Sequence, residues 1–392
     1  MKLLHWTVVA ICAGPLAAHA FETRLNGFIS VGGGMTLSEG QEYVTDPVNF
    51  GQYTNELSIK PDTMVAIQTS SQVNDRLSAT AQLVGFAGAK QFVKFANADI
   101  TVDRGFDVNF EWAYVNYELL DSVDLKVGRI RMPVFYYSSS LDLGYSYNWI
   151  RPPAEVYNLF TTSLEGMSVD YDISIGDWYG TATGYYGETS GVDPETQSIV
   201  EFESILGGII ALERGSLTLR GSYSVDDNVS IVRTFYNPLV AGYVTQEFEL
   251  PLTFASGSAI YDNGTVMLGS EVTSTKFKNN LNNDESAWYV TGGVRLGSFT
   301  PHVTYSSFKQ KSTAADTSLV FIPGQAGIKV SDYPQDISAI TAGVRWDFDI
   351  AAAIKVEYTN RTDNTAEPAI LEGLWSPFGD AQVLSVSVDV VF

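Results

Sequence analysis

The chain has 392 residues with 23 basic and 45 acidic side chains, a formal net charge of −22 and a single cysteine. Hydrophobic residues make up 45% of it, yet mean hydropathy is only +0.02 and nothing beyond the N-terminus approaches the roughly 18 apolar residues of a membrane-spanning helix. The acidic balance excludes nucleic acid as an expected partner, because phosphate binding needs a basic footprint.

In chain order, residues 1–20 come first. Lys2, an apolar stretch from Leu3 to Leu16 broken at Gly14-Pro15, and Ala18-His19-Ala20 predict a cleaved secretory signal peptide, leaving residues 21–392. Cys12, His5 and His19 leave with it, so His302 is the one remaining histidine. That excludes thiol catalysis, disulfides and Cys/His metal sites, and no metal or other cofactor is expected. Loss of Lys2 brings the net charge to −23. Such a surface suits a solvated exterior or calcium bridging carboxylates to anionic lipid.

From there apolar and polar residues alternate. Leu77, Ala79, Ala81 and Leu83 oppose Ser78, Thr80 and Gln82; Leu217, Leu219 and Tyr223 oppose Thr218, Arg220 and Ser222. Val266, Leu268 and Val272 oppose Met267, Gly269 and Glu271; Trp288, Val290, Val294 and Leu296 oppose Tyr289, Thr291 and Arg295. Ile340, Ala342, Val344 and Trp346 oppose Thr341, Gly343 and Arg345; Ile354, Val356 and Tyr358 oppose Lys355, Glu357 and Thr359. In the last segment Leu384, Val386, Val388, Val390 and Phe392 oppose Ser385, Ser387 and Asp389. A soluble sandwich gives the same period of two. The connections separate the two readings. Short turns near 74–76, 121–122, 176–177, 213–215, 262–264, 297–298 and 347–349 alternate with long polar loops near 38–55, 89–104, 133–163, 188–199, 226–252, 278–285, 311–334 and 362–379. This predicts an all-β fold, a transmembrane antiparallel barrel of about 16 strands, with 14 and 18 the alternatives. Long loops lie outside the cell and short turns on the periplasmic side.

Three segments then carry a resemblance to the general porins of Gram-negative outer membranes. The chain ends on Phe392 in an alternating strand, similar to the signal read by the barrel-assembly machinery. Leu125-Lys126-Val127-Gly128-Arg129 resembles the porin segment leading into the third loop, and Val73-Asn74-Asp75-Arg76-Leu77 resembles a porin periplasmic turn. The resemblance implies a homotrimer amid outer-membrane lipid and lipopolysaccharide, a third loop folded into the pore, and passive passage of small hydrophilic solutes and ions. The loop reads Trp149-Ile150-Arg151-Pro152-Pro153-Ala154-Glu155-Val156-Tyr157 rather than the acidic Pro-Glu-Phe-Gly-Gly type, so pore selectivity is not carried over.

Residues 133–163 contain eight aromatics, Phe135, Tyr136, Tyr137, Tyr145, Tyr147, Trp149, Tyr157 and Phe160, stiffened by Pro133, Pro152 and Pro153. They make either a constriction presenting Asp142, Arg151 and Glu155 or a pad packed on the inner wall. Alternation places Arg220, Arg295, Arg345, Lys355 and Arg361 in the lumen with Glu271, Glu357 and Asp389, as an ion-filtering wall or as a rigidifying network. Arg129 and Arg131 share parity with Leu125 and Val127, so they join the lumen only through a bulge or strand end. Trp112, Tyr114, Trp178, Tyr179, Tyr185, Tyr186, Trp288, Trp346 and Trp375 are expected in interface girdles. His302, without a recognisable partner, does not suggest an enzyme. A substrate-selective channel, or a non-conducting adhesin or receptor barrel, are the alternative functions.

Overall fold

The computed structural model describes residues 22–392 apart from 46–50, 88–89, 96–97, 104–105, 160, 194–197, 238–241, 279–282, 313–318, 321–327, 330–333 and 366–378. The expected leader, Phe160 and Trp375 lie outside the described residues.

Sixteen antiparallel strands close into one barrel. They are β1 Glu22–Thr36, β2 Met64–Asn74, β3 Leu77–Ala87, β4 Phe106–Leu120, β5 Val123–Arg131, β6 Ser163–Ile175, β7 Trp178–Asp193 and β8 Ser198–Arg214. The second half is β9 Leu217–Asp226, β10 Leu252–Asp262, β11 Val266–Phe277, β12 Asp284–Val294, β13 Phe299–Lys311, β14 Asp336–Asp349, β15 Ala352–Asp363 and β16 Ala381–Val391. Each strand pairs with its chain neighbours, and β1 closes the ring by pairing both β2 and β16. Past the last registered pair, Gly27 and Phe392 exchange backbone bonds of 2.8 and 2.9 Å. No helix among the described residues is long and apolar enough to cross a membrane.

The alternation decides which face looks where. On β16, Leu384, Val386 and Val388 are exposed outward while Ser385, Ser387 and Asp389 are buried inside. On β15, Val356 and Tyr358 face out while Lys355, Glu357 and Thr359 face in. An apolar exterior around a polar interior suits lipid outside and polar contents within. Closure leaves no strand edge unpaired in hydrocarbon.

Six of the seven short turns fall within a residue or two of where the sequence places them; the one expected at 347–349 is instead the end of β14, and the chain reverses at Ile350–Ala351. Left-handed glycines at Gly176 (φ 61) and Gly215 (φ 58) let two of the turns reverse tightly. The long loops are more ordered than their polarity suggests. β7 runs to Asp193 and β8 starts at Ser198, so most of the loop expected at 188–199 is strand. Between β9 and β10, Val229–Asn237 and Gly242–Glu249 form a hairpin that extends the sheet through β8. Another hairpin, Lys90–Phe95 with Ala98–Asp103, lies between β3 and β4. Backbone left unpaired above the membrane finds partners in its own loop.

Candidate functional site

The long connection from β5 to β6, residues 132–162, enters the barrel instead of standing above it. At its base Met132 N donates to Thr162 O at 2.8 Å. From there it descends until the Tyr145 hydroxyl donates to the carbonyl of Ile350, in the turn between β14 and β15, at 2.8 Å. It therefore reaches the far, short-turn end of the barrel.

Apolar contact drives this path. Phe135, Tyr147, Trp149, Val156 and Tyr157 form one buried cluster with wall residues Tyr185, Ile205, Ile209, Phe254, Tyr289 and Phe308. Phe135 meets the Tyr157 ring at 4.6 Å and Phe254 edge-on at 5.5 Å; Trp149 meets Tyr289 edge-on at 5.6 Å. Burying such rings contributes roughly 1.5–3 kcal/mol each. Two loop rings also find polar partners on the wall: the Trp149 indole donates to Thr304 at 2.8 Å and the Tyr157 hydroxyl to Glu271 at 2.7 Å. The aromatics thus pack on the inner wall and fold the loop inward, while Asp142, Arg151 and Glu155 are held by Arg131, Asp62 and Ser306.

The loop's own carbonyls are met by cations of the wall. Lys355 donates to the carbonyls of Gly144 and Trp149, both at 2.5 Å, and is 3.0 Å from Asp389. Arg345 donates to the carbonyls of Tyr145 (2.7 Å) and Tyr147 (2.9 Å) and pairs with Asp347. Arg220 donates to the Pro133 carbonyl, and Ser222 to that of Val134 at 2.8 Å. From the other direction, Ile150 N donates to Glu357 at 3.0 Å, and Glu155 accepts from Ser306 at 2.8 Å. Wire-like backbone cannot lie in a barrel without such partners, because an unmet buried carbonyl costs about 1–3 kcal/mol.

The remaining expected residues are placed as follows. Arg151 lies between the rings of Tyr43 and Tyr53, at 5.3 and 5.5 Å, paired with Asp62 and donating to Ser385 at 3.0 Å. Burial alone would lower its pKa, but Asp62 and the two phenols hold it above the usual arginine value. Burial, and then Asp62, raises the Tyr53 phenol; burial, and then Glu155, raises that of Tyr43. Arg131 bridges Glu111 and Asp142, each at 2.8 Å. Arg295 grips Asp262 with both ends, at 2.5 and 2.7 Å, beside the short turns. Arg361, at the opposite end of its strand, donates to the carbonyl of Gly379 at 2.8 Å.

Arg129 departs from the expectation. It pairs with Glu165, and both continue the outward row of Val127 and Met167. The parity conflict between Arg129 and Arg131 is resolved at the strand end: Arg131 is the last residue of β5, and β4 carries an extra residue, Glu111, between the partners of Leu83 and Gln82. Tyr114 and Tyr185 pack inside on the loop cluster rather than in a girdle, whereas Tyr186, Trp288 and Trp346 are exposed on the outer wall. Asp62, Glu111, Tyr43 and Tyr53 carry no periodic signal, being in a loop or a bulge, and were not legible. His302 is buried, with Nε2 3.6 Å from Glu357. Among the described residues no group of three or more His, Cys, Asp or Glu could hold a metal ion.

Below the loop a polar cavity of about 480 Å³ opens at the short-turn end, bounded by Tyr136, Tyr145, Asp262, Arg295, Arg345 and Asp347. A closed barrel with an apolar exterior, a polar interior and one loop laid across it defines a transmembrane β-barrel of the outer-membrane porin type. Solved structures share that fold. The trimer form of OmpT, an outer-membrane protein of Vibrio cholerae, is 12% identical over 95% of this chain and 100% of its own, with a TM-score of 0.55. OmpF of Salmonella typhi, in complex with daunomycin, is 14% identical over 94% and 97%, with a TM-score of 0.57. An anion-selective porin from Comamonas acidovorans is 14% identical over 95% and 100%, with a TM-score of 0.53. No family model and no curated protein matches the sequence.

Proposed function

We propose that this protein is a diffusion channel of the Gram-negative outer membrane, passing small hydrophilic solutes and ions down their gradients without energy coupling or cofactor. The observation that carries the reading is the inward loop of residues 132–162, held by wall cations across a polar-lined barrel. A barrel of about 16 strands otherwise encloses a wide aqueous lumen, and a loop fastened across it narrows the aperture. The reading includes cleavage after Ala20, assembly by the barrel machinery through Phe392, lipopolysaccharide around the outer wall, and a homotrimer. The trimer draws support from the trimeric OmpT with the same fold. No catalytic role is assigned to the buried His302.

Planar-bilayer recording tests the reading: purified protein should give discrete conductance steps, and liposomes containing it should swell in small sugars. Absence of both would mean a barrel that acts through its loops. A substrate-selective channel is the second reading, favoured by the polar cavity where Tyr136 and Tyr145 stand beside Asp262, Arg295 and Arg345. Saturable block of the steps by one solute class would establish it.

A further inference from the structure

Water reaches the inner wall unevenly. Under the loop, Thr291, Thr304, Ser385, Ser387 and Asp389 are each 2% exposed. Across the lumen, on the short-turn half of β2 to β8, inward-facing Thr80, Asn116, Asp124 and Thr183 are only half-buried, and Asp172 and Glu213 are exposed. Register fixes these directions. Asp124 pairs with Asp170, which accepts from Thr183 at 2.6 Å, two residues from inward Tyr185; Glu213 shares parity with inward Ile209.

Charge is divided along the same line. Arg220, Arg345 and Lys355 each donate to loop carbonyls. Arg151 is buried against Asp62. On the wetter wall Lys126, 2.7 Å from Asp170, is the one base among the inward positions of that half of β2 to β8. Glu118, Asp124, Asp172 and Glu213 share its face and lie toward the short turns.

We propose that solutes pass beside the loop along the inner wall of β2 to β8, and that Asp124, Asp172 and Glu213, opposed by Lys126, make this passage favour cations and cationic small molecules. This rests on the reading of the barrel as a diffusion channel. Charges lining a narrow water path act on a permeating ion with little screening, whereas carboxylates on outer loops lie beyond a Debye length of about 8 Å.

Cysteine accessibility separates the two claims, because the sole natural cysteine is Cys12, within the expected leader. Thr80→Cys and Thr183→Cys should react with a cationic methanethiosulfonate faster than Thr304→Cys and Ser387→Cys by roughly ten-fold or more, since the latter wait for local opening. A cationic reagent should also outpace its anionic analogue at the first pair. In potassium chloride gradients, Asp172→Asn and Glu213→Gln should each lower the potassium-to-chloride permeability ratio about two-fold, the effect of a unit charge several ångströms away across water. Lys126→Gln should raise it. Equal labelling of the two walls, or faster labelling by the anion, overturns the inference even if the protein conducts. Absence of conductance with the labelling contrast intact overturns the channel reading instead.

Discussion

Lys355 shows how a single side chain gains a task that its strand position does not announce. It is fully buried between Asp389 and two loop carbonyls. Lys355→Met should leave Asp389 without its cation and release the loop, costing about 3–5 kcal/mol as broken buried pairs do. The loss should appear as a lower temperature for the heat-induced mobility change in detergent gels, together with larger, noisier conductance. Gly144 is the converse case, because a Cβ there would lie 2.5 Å from the Asp389 carboxylate and 2.9 Å from the Ser30 hydroxyl. Gly144→Val should therefore push the loop off the wall and raise conductance, and an unchanged step size would refute this seating. Tyr43 and Tyr53 carry a pH prediction. Their folded pKa values lie above the ordinary value of about 10. The stability they contribute is complete below pH 10 and is lost as pH climbs through the raised values, where only the unfolded phenols have already ionised. An ultraviolet titration should show these phenolates appearing after those of exposed tyrosines; a late-titrating phase smaller by one phenol in Tyr53→Phe would assign that residue to it, and an unchanged phase would refute the assignment.

At the scale of the strand, the two faces of β16 answer differently to charge. Val388→Arg puts a cation toward hydrocarbon, at roughly 2–4 kcal/mol near the midplane. Alternation alone predicts that Ser387→Arg, one residue away, is tolerated. The structure changes that expectation, since Ser387 is 2% exposed beneath the loop and has no water to receive a guanidinium. Both variants should thus fold poorly, whereas Thr181→Arg, on the wetter wall, should fold well. Refolding yields into detergent decide the comparison. The connections carry a separate test: a tag inserted between Asp193 and Ser198 should be reachable by antibody on intact cells, and one at Asn263 should not. Phe392 is 61% exposed, and its strand is otherwise anchored by the backbone pair with Gly27. Deleting it should slow assembly in cells more than it lowers the melting temperature of the finished barrel.

For the whole molecule, the barrel and its contents follow different rules. The closed sheet was legible in the sequence because a strand's two faces meet two solvents, and that demand is written into every second residue, as in Leu384 to Asp389. The short turns were legible for a similarly local reason. The inward fold of the third loop was expected from the family resemblance; what only the tertiary structure decided is which wall it lies on and which charges it consumes. Its anchors join residues 211 and 206 positions apart, as between Lys355 and the carbonyls of Gly144 and Trp149. No periodicity records a contact made after a chain has closed on itself. The same cause explains Arg129 and Arg131: an extra residue at Glu111, on the neighbouring strand, shapes the strand end where Arg131 turns inward while Arg129 stays outside. Alternation therefore determined which side chains enter the barrel, and packing against the loop determined which of them still meet water, because burial there depends on a second surface that the strand's own sequence does not contain.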